Sequence, residues 1–229
     1  MRLLVMIPAY NEMESICRTL STLDASCYDV LVVDDGSRDS TVEQCHKAGF
    51  HVLSLPVNLG LSGAVKVGMM YALEHGYDAI LQFDADGQHK AEYILPMLST
   101  LSHSDAHIVI GSRYMDGKRD HSMRVFGNTL ICHAIRVTTG QRIADSTSGM
   151  RMYSRAAMDW FCKNPDCTPE PDTIAYAIRC GGIVKEAPVT MDERTAGKSY
   201  LSFSRSIQYM FHMIVSIYLF QWFRKKEAF

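Results

Sequence analysis

The chain has 229 residues, 47% of them hydrophobic, which is enough to bury one substantial core and slightly more than the commonest domain size. A formal charge of −2 supplies no general basic field, so no nucleic-acid partner is expected. The 7 cysteines form no CxxC pair and no His–Cys metal spacing, and read as small core residues of a chain kept in a reducing, cytoplasmic compartment.

In chain order, RLLVMIPAY, DVLVVDDG, HVLSLPV, AILQFDADG and HIVIGSRY are short continuous apolar runs ending in polar or Gly/Pro residues, the pattern of strands covered on both faces. The apolar run of MRLLVMIPAYNE is too short for a secretory signal, and no export is expected. Each of the first four runs is followed by a segment with three- and four-residue apolar spacing: MESICRTLSTL, STVEQCHKAGF, GAVKVGMMYALEHG and AEYILPMLSTL. Asp39 or Ser40 can cap the second of these helices. Strand and helix alternating in this way predict an α/β fold, a mostly parallel Rossmann-like sheet with helices on both faces. Beyond residue 120, MRVFGNTLICHAIRVTTG reads as a helix, ADSTSGMRMYS as a polar loop entering a short extended piece, and EPDTIAYAIRCG as a helix ended by its glycines. IVKEAPVTMDERTAGKS then reads as a strand running into a basic loop.

Ligands of such sheets bind beyond the carboxyl ends of the strands. Polar clusters are expected there: Pro8, Tyr10, Asn11 and Glu12 after the first strand, Asp34, Asp35, Gly36 and Ser37 after the second, Asp84, Asp86, Gln88 and His89 after the fourth, Arg113 after the fifth. Asp84 and Asp86 are like charges one residue apart, which persist best where a cation lies between them, although a solvated turn is an equal reading of these residues alone. Oxygen ligands of this kind suit Mg²⁺ or Mn²⁺ bridging to phosphate, and Arg113, Arg124, Arg194 and Lys198 are cations in polar, glycine-containing contexts that suit phosphate itself. No GxxxxGK[ST] is present and no GxGxxG follows the first strand, so P-loop and hydride-transfer chemistry lose ground.

IPAYNE at 7–12, VDDGS at 33–37, NLGLSGA at 58–64, DADGQH at 84–89, GSRY at 111–114, DSTSGMR at 145–151 and ERTAGKS at 193–199 together resemble the inverting family-2 glycosyltransferases, in particular the dolichyl-phosphate mannose synthase and bacterial polyprenyl-phosphate branch. The resemblance implies a GT-A catalytic domain over 1–200 and a nucleotide-diphospho-sugar donor. It implies that Pro8, Tyr10, Glu12, Val33 and Asp35 cradle the nucleoside, that Asp84, Asp86 and Gln88 organise a metal on the diphosphate, and that Lys198 helps hold the donor. Arg113, Arg124 and Arg194 would share the phosphate work as candidate catalytic residues, and His89 would orient its loop. Asp145 would orient the acceptor, serve as a base, or fix its loop through backbone bonds, with Glu170 and Asp172 as further candidate bases. The acceptor is expected to be a lipid phosphate, with a sugar hydroxyl and a silent sugar-nucleotide-binding scaffold as alternatives. Met150 stands where the motif usually has Phe, a swap between large apolar groups.

The tail, 201–229, differs in kind. Residues 207–223 are apolar for about the minimum length that crosses a bilayer, interrupted by Gln208, His212, Ser216 and Gln221. On a helix Arg205, Gln208, His212 and Ser216 line one stripe, which suits the headgroup region of a membrane surface, or contact with a small membrane protein, at the inner face. A helix packed on the sheet or a partner subunit, and a single span, are the alternatives.

Overall fold

A computed structural model of the chain describes residues 1–115, 123–192, 203–224 and 228–229, with the side chains of all of these but 123, 124, 203–206, 220 and 221. A 7-stranded sheet runs in the order β3-β2-β1-β4-β6-β5-β7. Its strands are β1 (Leu3–Ala9), β2 (Asp29–Asp34), β3 (His51–Ser54), β4 (Ala79–Gln82), β5 (Ile108–Ser112), β6 (Arg151–Ser154) and β7 (Val184–Pro188). All pairings are parallel except those of β6, which is antiparallel to β4 and β5. The polar segment before β6 lies at the carboxyl edge, so the strand has to run back from it.

The helices are α1 (Ile16–Ser21), α2 (Thr41–Lys47), α3 (Gly60–Glu74), α4 (Ile94–Ser102), α5 (Met123–Thr139), α6 (Arg155–Lys163), α7 (Pro171–Arg179), α8 (Phe203–Val215), a π-helical segment Ser216–Phe220, and α9 (Gln221–Phe223). One face of the sheet packs α1, α2 and α4 through Ile16, Leu20, Cys45, Ile94, Met97 and Leu101. The other packs α3, α5, α6, α7 and α8. The alternating strand–helix pattern therefore yields the layers it predicts, because runs such as LLVMIPA bury every residue and need cover on both sides.

Two elements depart from expectation. Helix α6 was not read from the sequence; Ser154 caps it by accepting the Ala157 N–H at 3.3 Å, and Ala157, Met158, Trp160 and Phe161 are its buried stripe. At α2, Ser40 holds the cap position without a side-chain bond, and Asp39 Oδ1 instead accepts the Thr41 N–H at 3.0 Å.

The tail also corrects its expected stripe. Gln208 and His212 are exposed, but Ser216 is buried and donates to Asp172 Oδ2 at 2.6 Å. Met213 and Ile217 enter the core beside α5 and α7, each worth about 1.5–3 kcal/mol of burial. Ile207, Phe211, Leu219, Trp222 and Phe223 face outward. Among the described residues no helix is long and apolar enough to cross a membrane.

Candidate active site

Every described candidate residue except Glu170 and Asp172 lies at the carboxyl edge of the parallel strands, or in the turns just beyond it. On the β1/β2 side the two turns are laced together. Asn11 takes φ 54°, a left-handed conformation Asn tolerates, and there its N–H donates to Ser37 Oγ at 2.9 Å while its Oδ1 accepts the Arg38 N–H at 2.9 Å. The Glu12 N–H donates to Thr41 Oγ1 at 2.9 Å, and Glu12 Oε2 accepts Ser15 Oγ at 2.6 Å. Asp35 is buried, and its Oδ1 accepts the Leu59 N–H at 2.6 Å, tying the turn after β2 to the start of α3. Pro8 and Val33 lie within the strands, in register with each other and buried, so they reach the edge through backbone; Tyr10 is half-buried at the rim.

Beyond β4, the acid pair is held by its own loop. Gln82 Nε2 donates to Asp84 Oδ1 at 3.1 Å, and the Asp84 N–H donates to His89 Nδ1 at 2.9 Å. With Nδ1 accepting, a neutral His89 carries its proton on Nε2, which faces Asp84 Oδ2 at 3.6 Å. The His89 ring is further fixed edge-on against Phe83, with centroids 5.3 Å apart. Asp86 is buried, and its Oδ1 accepts the Gln88 N–H at 3.1 Å. Gln88 Nε2 donates to the Asp192 carbonyl at 3.3 Å. The donor set is hard oxygen, the kind Mg²⁺ or Mn²⁺ takes. Among the described residues no three His, Cys, Asp or Glu side chains are grouped to hold a metal by protein ligands alone, so a cation here would complete its shell with ligand oxygens and water.

Just beyond β5, Arg113 forms a bidentate pair with Asp145. Arg113 Nε donates to Asp145 Oδ2 at 2.6 Å and Nη2 to Oδ1 at 2.8 Å, while the Arg113 backbone N–H adds a bond to Oδ2 at 3.1 Å. Asp145 is fully buried and the Arg113 side chain is 18% exposed. Burial alone would lower the Arg113 pKa; the hydrogen bond and charge of Asp145 outweigh it and raise it, so the guanidinium is permanently cationic. Asp145 thus has both oxygens bound to a cation that it orients.

The two halves meet at Gly149. A Cβ on this residue would stand 2.6 Å from Asp84 Oδ2, so any side chain here would oblige the Asp84 carboxylate to turn or the Asp145–Gly149 loop to shift. The loop is held from below by Arg151, buried at 3% exposure, whose Nε and Nη2 donate to the carbonyls of Ser148 at 2.8 Å and Ser146 at 2.7 Å. Arg151 Nη1 reaches the Pro169 carbonyl.

Several candidates stand elsewhere. Glu170 accepts a hydrogen bond from Tyr209 of α8, and Asp172 binds Ser216 and lies 3.7 Å from Arg224, so both acids tether the tail. Burial, reinforced by Glu170, pushes the Tyr209 phenol well above its ordinary range. The side chains of Arg124 and Arg205, and all of Arg194 and Lys198, lie outside the described residues. Sequence reasoning missed Glu186, Asn128 and the close approach at Gly149. The first two carry no motif of their own, and only the small residue inside DSTSGMR hints at the third.

Residues 4–161 match the family described as Glycosyl transferase family 2. The chain belongs to that family. It is 33% identical to an undecaprenyl-phosphate mannosyltransferase of Micrococcus luteus over 219 residues, covering 88% of each chain. It is 32% identical to a polyprenol monophosphomannose synthase of Mycolicibacterium smegmatis, covering 92% of this chain and 84% of that one. Among solved structures it resembles glucosyl-3-phosphoglycerate synthase of Mycobacterium tuberculosis in complex with Mn²⁺, uridine diphosphate and phosphoglyceric acid, with a TM-score of 0.69 at 15% identity over 94% of this chain and 78% of that one. That likeness establishes the fold of this transferase as GT-A type.

Proposed function

We propose that this glycosyltransferase moves a sugar from a nucleotide-diphospho-sugar to a polyprenyl phosphate, inverting the anomeric carbon. The reading is carried by one observation: the loop whose buried Asp145 carboxylate fixes the permanently charged Arg113 packs, at Gly149, against Asp84 of the acid pair. The names of the two relatives support the acceptor class.

In the reaction an oxygen of the lipid phosphate attacks C1 of the sugar from the side opposite the leaving group. The C1–O bond to the diphosphate breaks, its electron pair leaves with the nucleoside diphosphate, and a new C1–O–P linkage forms. A phosphate monoester, with a second pKa of about 6, is already largely dianionic at neutral pH and needs cations more than a base. Asp145, sealed against Arg113, acts here as an orienting group. A bound Mg²⁺ or Mn²⁺ would supply charge neutralisation on the diphosphate. Asp84, Asp86 and Gln88 would hold it, Arg113 would neutralise phosphate charge beside it, and His89 would keep Asp84 in place. Tyr10, Glu12, Asp35 and the backbone at Pro8 and Val33 would cradle the nucleoside. Arg124, Arg194 and Lys198 are assigned to phosphate on the family motifs alone.

The acceptor implies a location, a peripheral position on the inner, cytoplasmic face of a membrane, with residues 201–229 as the docking element of a catalytic unit formed by 1–200. Phe211, Trp222 and Phe223 are 69%, 61% and 86% exposed, whereas the polar groups of Tyr209 and Ser216 turn inward to Glu170 and Asp172. On α5, Phe126, Leu130 and Val137 are also exposed apolar residues. A surface segment that exposes Phe211, Trp222 and Phe223 beside Gln208 and His212 is amphipathic, which suits the lipid interface.

The deciding experiment incubates the chain with a panel of nucleotide sugars, Mn²⁺, and either polyprenyl phosphate or glycan acceptors. Label in the lipid phase that is lost on chelation supports the proposal. Label in glycan alone would make Asp145 a base after all, and donor binding without turnover would mark a sugar-nucleotide-binding scaffold.

A further inference from the structure

We infer that Glu186 is a positioning residue of the transferase, fixing the loop from which Asp145 holds the Arg113 guanidinium in one orientation. It rests on the reading of Arg113 as a phosphate-neutralising group. Glu186 lies half-buried in β7, on the strand next to β5, whose last residue precedes Arg113. Its Oε2 accepts the Ala144 N–H at 2.8 Å and its Oε1 accepts the Asp145 N–H at 2.9 Å. Two consecutive amides are therefore bound by the two oxygens of one carboxylate, and hydrogen bonds to an ionised acceptor are the strong kind.

The carbonyl side of the same loop is gripped by donors. Asn128 Nδ2 on α5 donates to the Ala144 carbonyl at 2.9 Å, and Arg151 donates to the carbonyls of Ser146 at 2.7 Å and Ser148 at 2.8 Å. An acid holds the amides while an amide and a guanidinium hold the carbonyls, so neither side can stand in for the other. Between them projects the Asp145 carboxylate, with bonds of 2.6 and 2.8 Å to Arg113. A guanidinium fork and a carboxylate pair through two bonds only when their planes align, so the tilt of Asp145 sets the tilt of Arg113. Glu186 acts on the reaction through these two residues.

Glu186→Gln keeps the side chain's size and replaces one acceptor oxygen with an NH₂ that faces a backbone N–H, setting donor against donor. The test uses the full chain and two readouts. The first is the ¹⁵N NMR signal of the Arg113 Nε–H, identified by its loss in Arg113→Lys. It should exchange slowly in the wild type and broaden, or move to the position of free arginines, in Glu186→Gln, while backbone signals from β1 to β4 stay in place. The second is kinetics: kcat with polyprenyl phosphate should fall about tenfold with donor KM changed by less than about threefold. In the Arg113→Lys background the same substitution should add less than about twofold, since the two residues act as one unit.

An unchanged Arg113 signal, or an equal kinetic loss in both backgrounds, overturns the inference. If Glu186→Gln does not fold, Glu186→Asp keeps both oxygens but shortens the reach by one methylene, and should show the same change at a smaller size. A wild type that glycosylates no polyprenyl phosphate would defeat the proposed acceptor instead, and the Arg113 signal would still decide the role of Glu186.

Discussion

The two halves of the carboxyl edge are built at different ranges. The hydrogen bonds of the acid pair itself are local, Asp84 to His89 spanning 5 residues and Asp86 to Gln88 only 2, although Gln88 of the same loop also reaches Asp192, 104 residues on. Around the arginine they are distant: Arg113 to Asp145 spans 32 and Asp145 to Glu186 41. A local loop can be specified by a short motif and survives changes elsewhere. A site assembled from β5, the segment before β6, β7 and α5 depends on the whole second half of the sheet. The donor side should therefore lose function cleanly when altered, and the arginine side should lose function and stability together.

The first half of that contrast is tested most severely at Asp86. Asp86→Ala removes a carboxylate from a loop whose remaining bonds persist, so turnover should fall about 10³-fold with the melting temperature nearly unchanged. A steady-state assay over a Mn²⁺ titration beside a thermal melt checks this, and full activity would remove the metal from the proposal. The second half is tested by Asp145→Asn, which strands a largely buried guanidinium. Breaking such a pair costs about 3–5 kcal/mol, so a drop in denaturation midpoint should accompany a loss of kcat of about 10²-fold. A variant as stable as the wild type would show that the two sides do not differ in the way their contacts suggest.

The same contrast governs what the sequence discloses. The strands, and most helices, were legible because fully buried runs and helical spacing are local signals, as was the clustering of DADGQH and GSRY at one edge. The place of β6 between β4 and β5, and its reversed direction, were not, since strand order is set by packing across tens of residues. Asp145 drew three competing readings, and only its distances to Arg113 favour orientation over general base chemistry. Glu186 in VKEAP looks like any charge on an edge strand until its two oxygens are found on Ala144 and Asp145. The stripe through Gln208, His212 and Ser216 failed for the same reason, because Asp172, 44 residues away, draws Ser216 inward.

Gly149 is where the two halves touch, and Gly149→Ala probes the junction without removing any functional group. The new methyl would lie 2.6 Å from Asp84 Oδ2, so the carboxylate has to turn away. An intermediate loss of about tenfold in kcat/KM is expected, together with a higher Mn²⁺ requirement, because the displaced group belongs to the acid pair while the displacing one belongs to the arginine loop. A loss of activity at unaltered Mn²⁺ dependence would mean that the loop moved and Asp84 did not.

The smallest effect is expected farthest from both halves, on the outward face of α8. Phe211 is 69% exposed, so Phe211→Ser removes little from the core and should leave stability within about 0.5 kcal/mol. Withdrawing one aromatic side chain from a lipid interface forfeits about 1–2 kcal/mol of transfer free energy, or roughly a five- to thirtyfold weaker partition onto vesicles. Sedimentation with liposomes containing anionic lipid measures it directly, with Gln208→Ser, on an exposed polar position of the same helix, as the control. Activity toward a detergent-dispersed acceptor should be unaffected in both, because Phe211 and Gln208 are exposed and belong to neither half of the site. Equal partition of both variants would return the outward aromatics to the role of an interface with another protein chain.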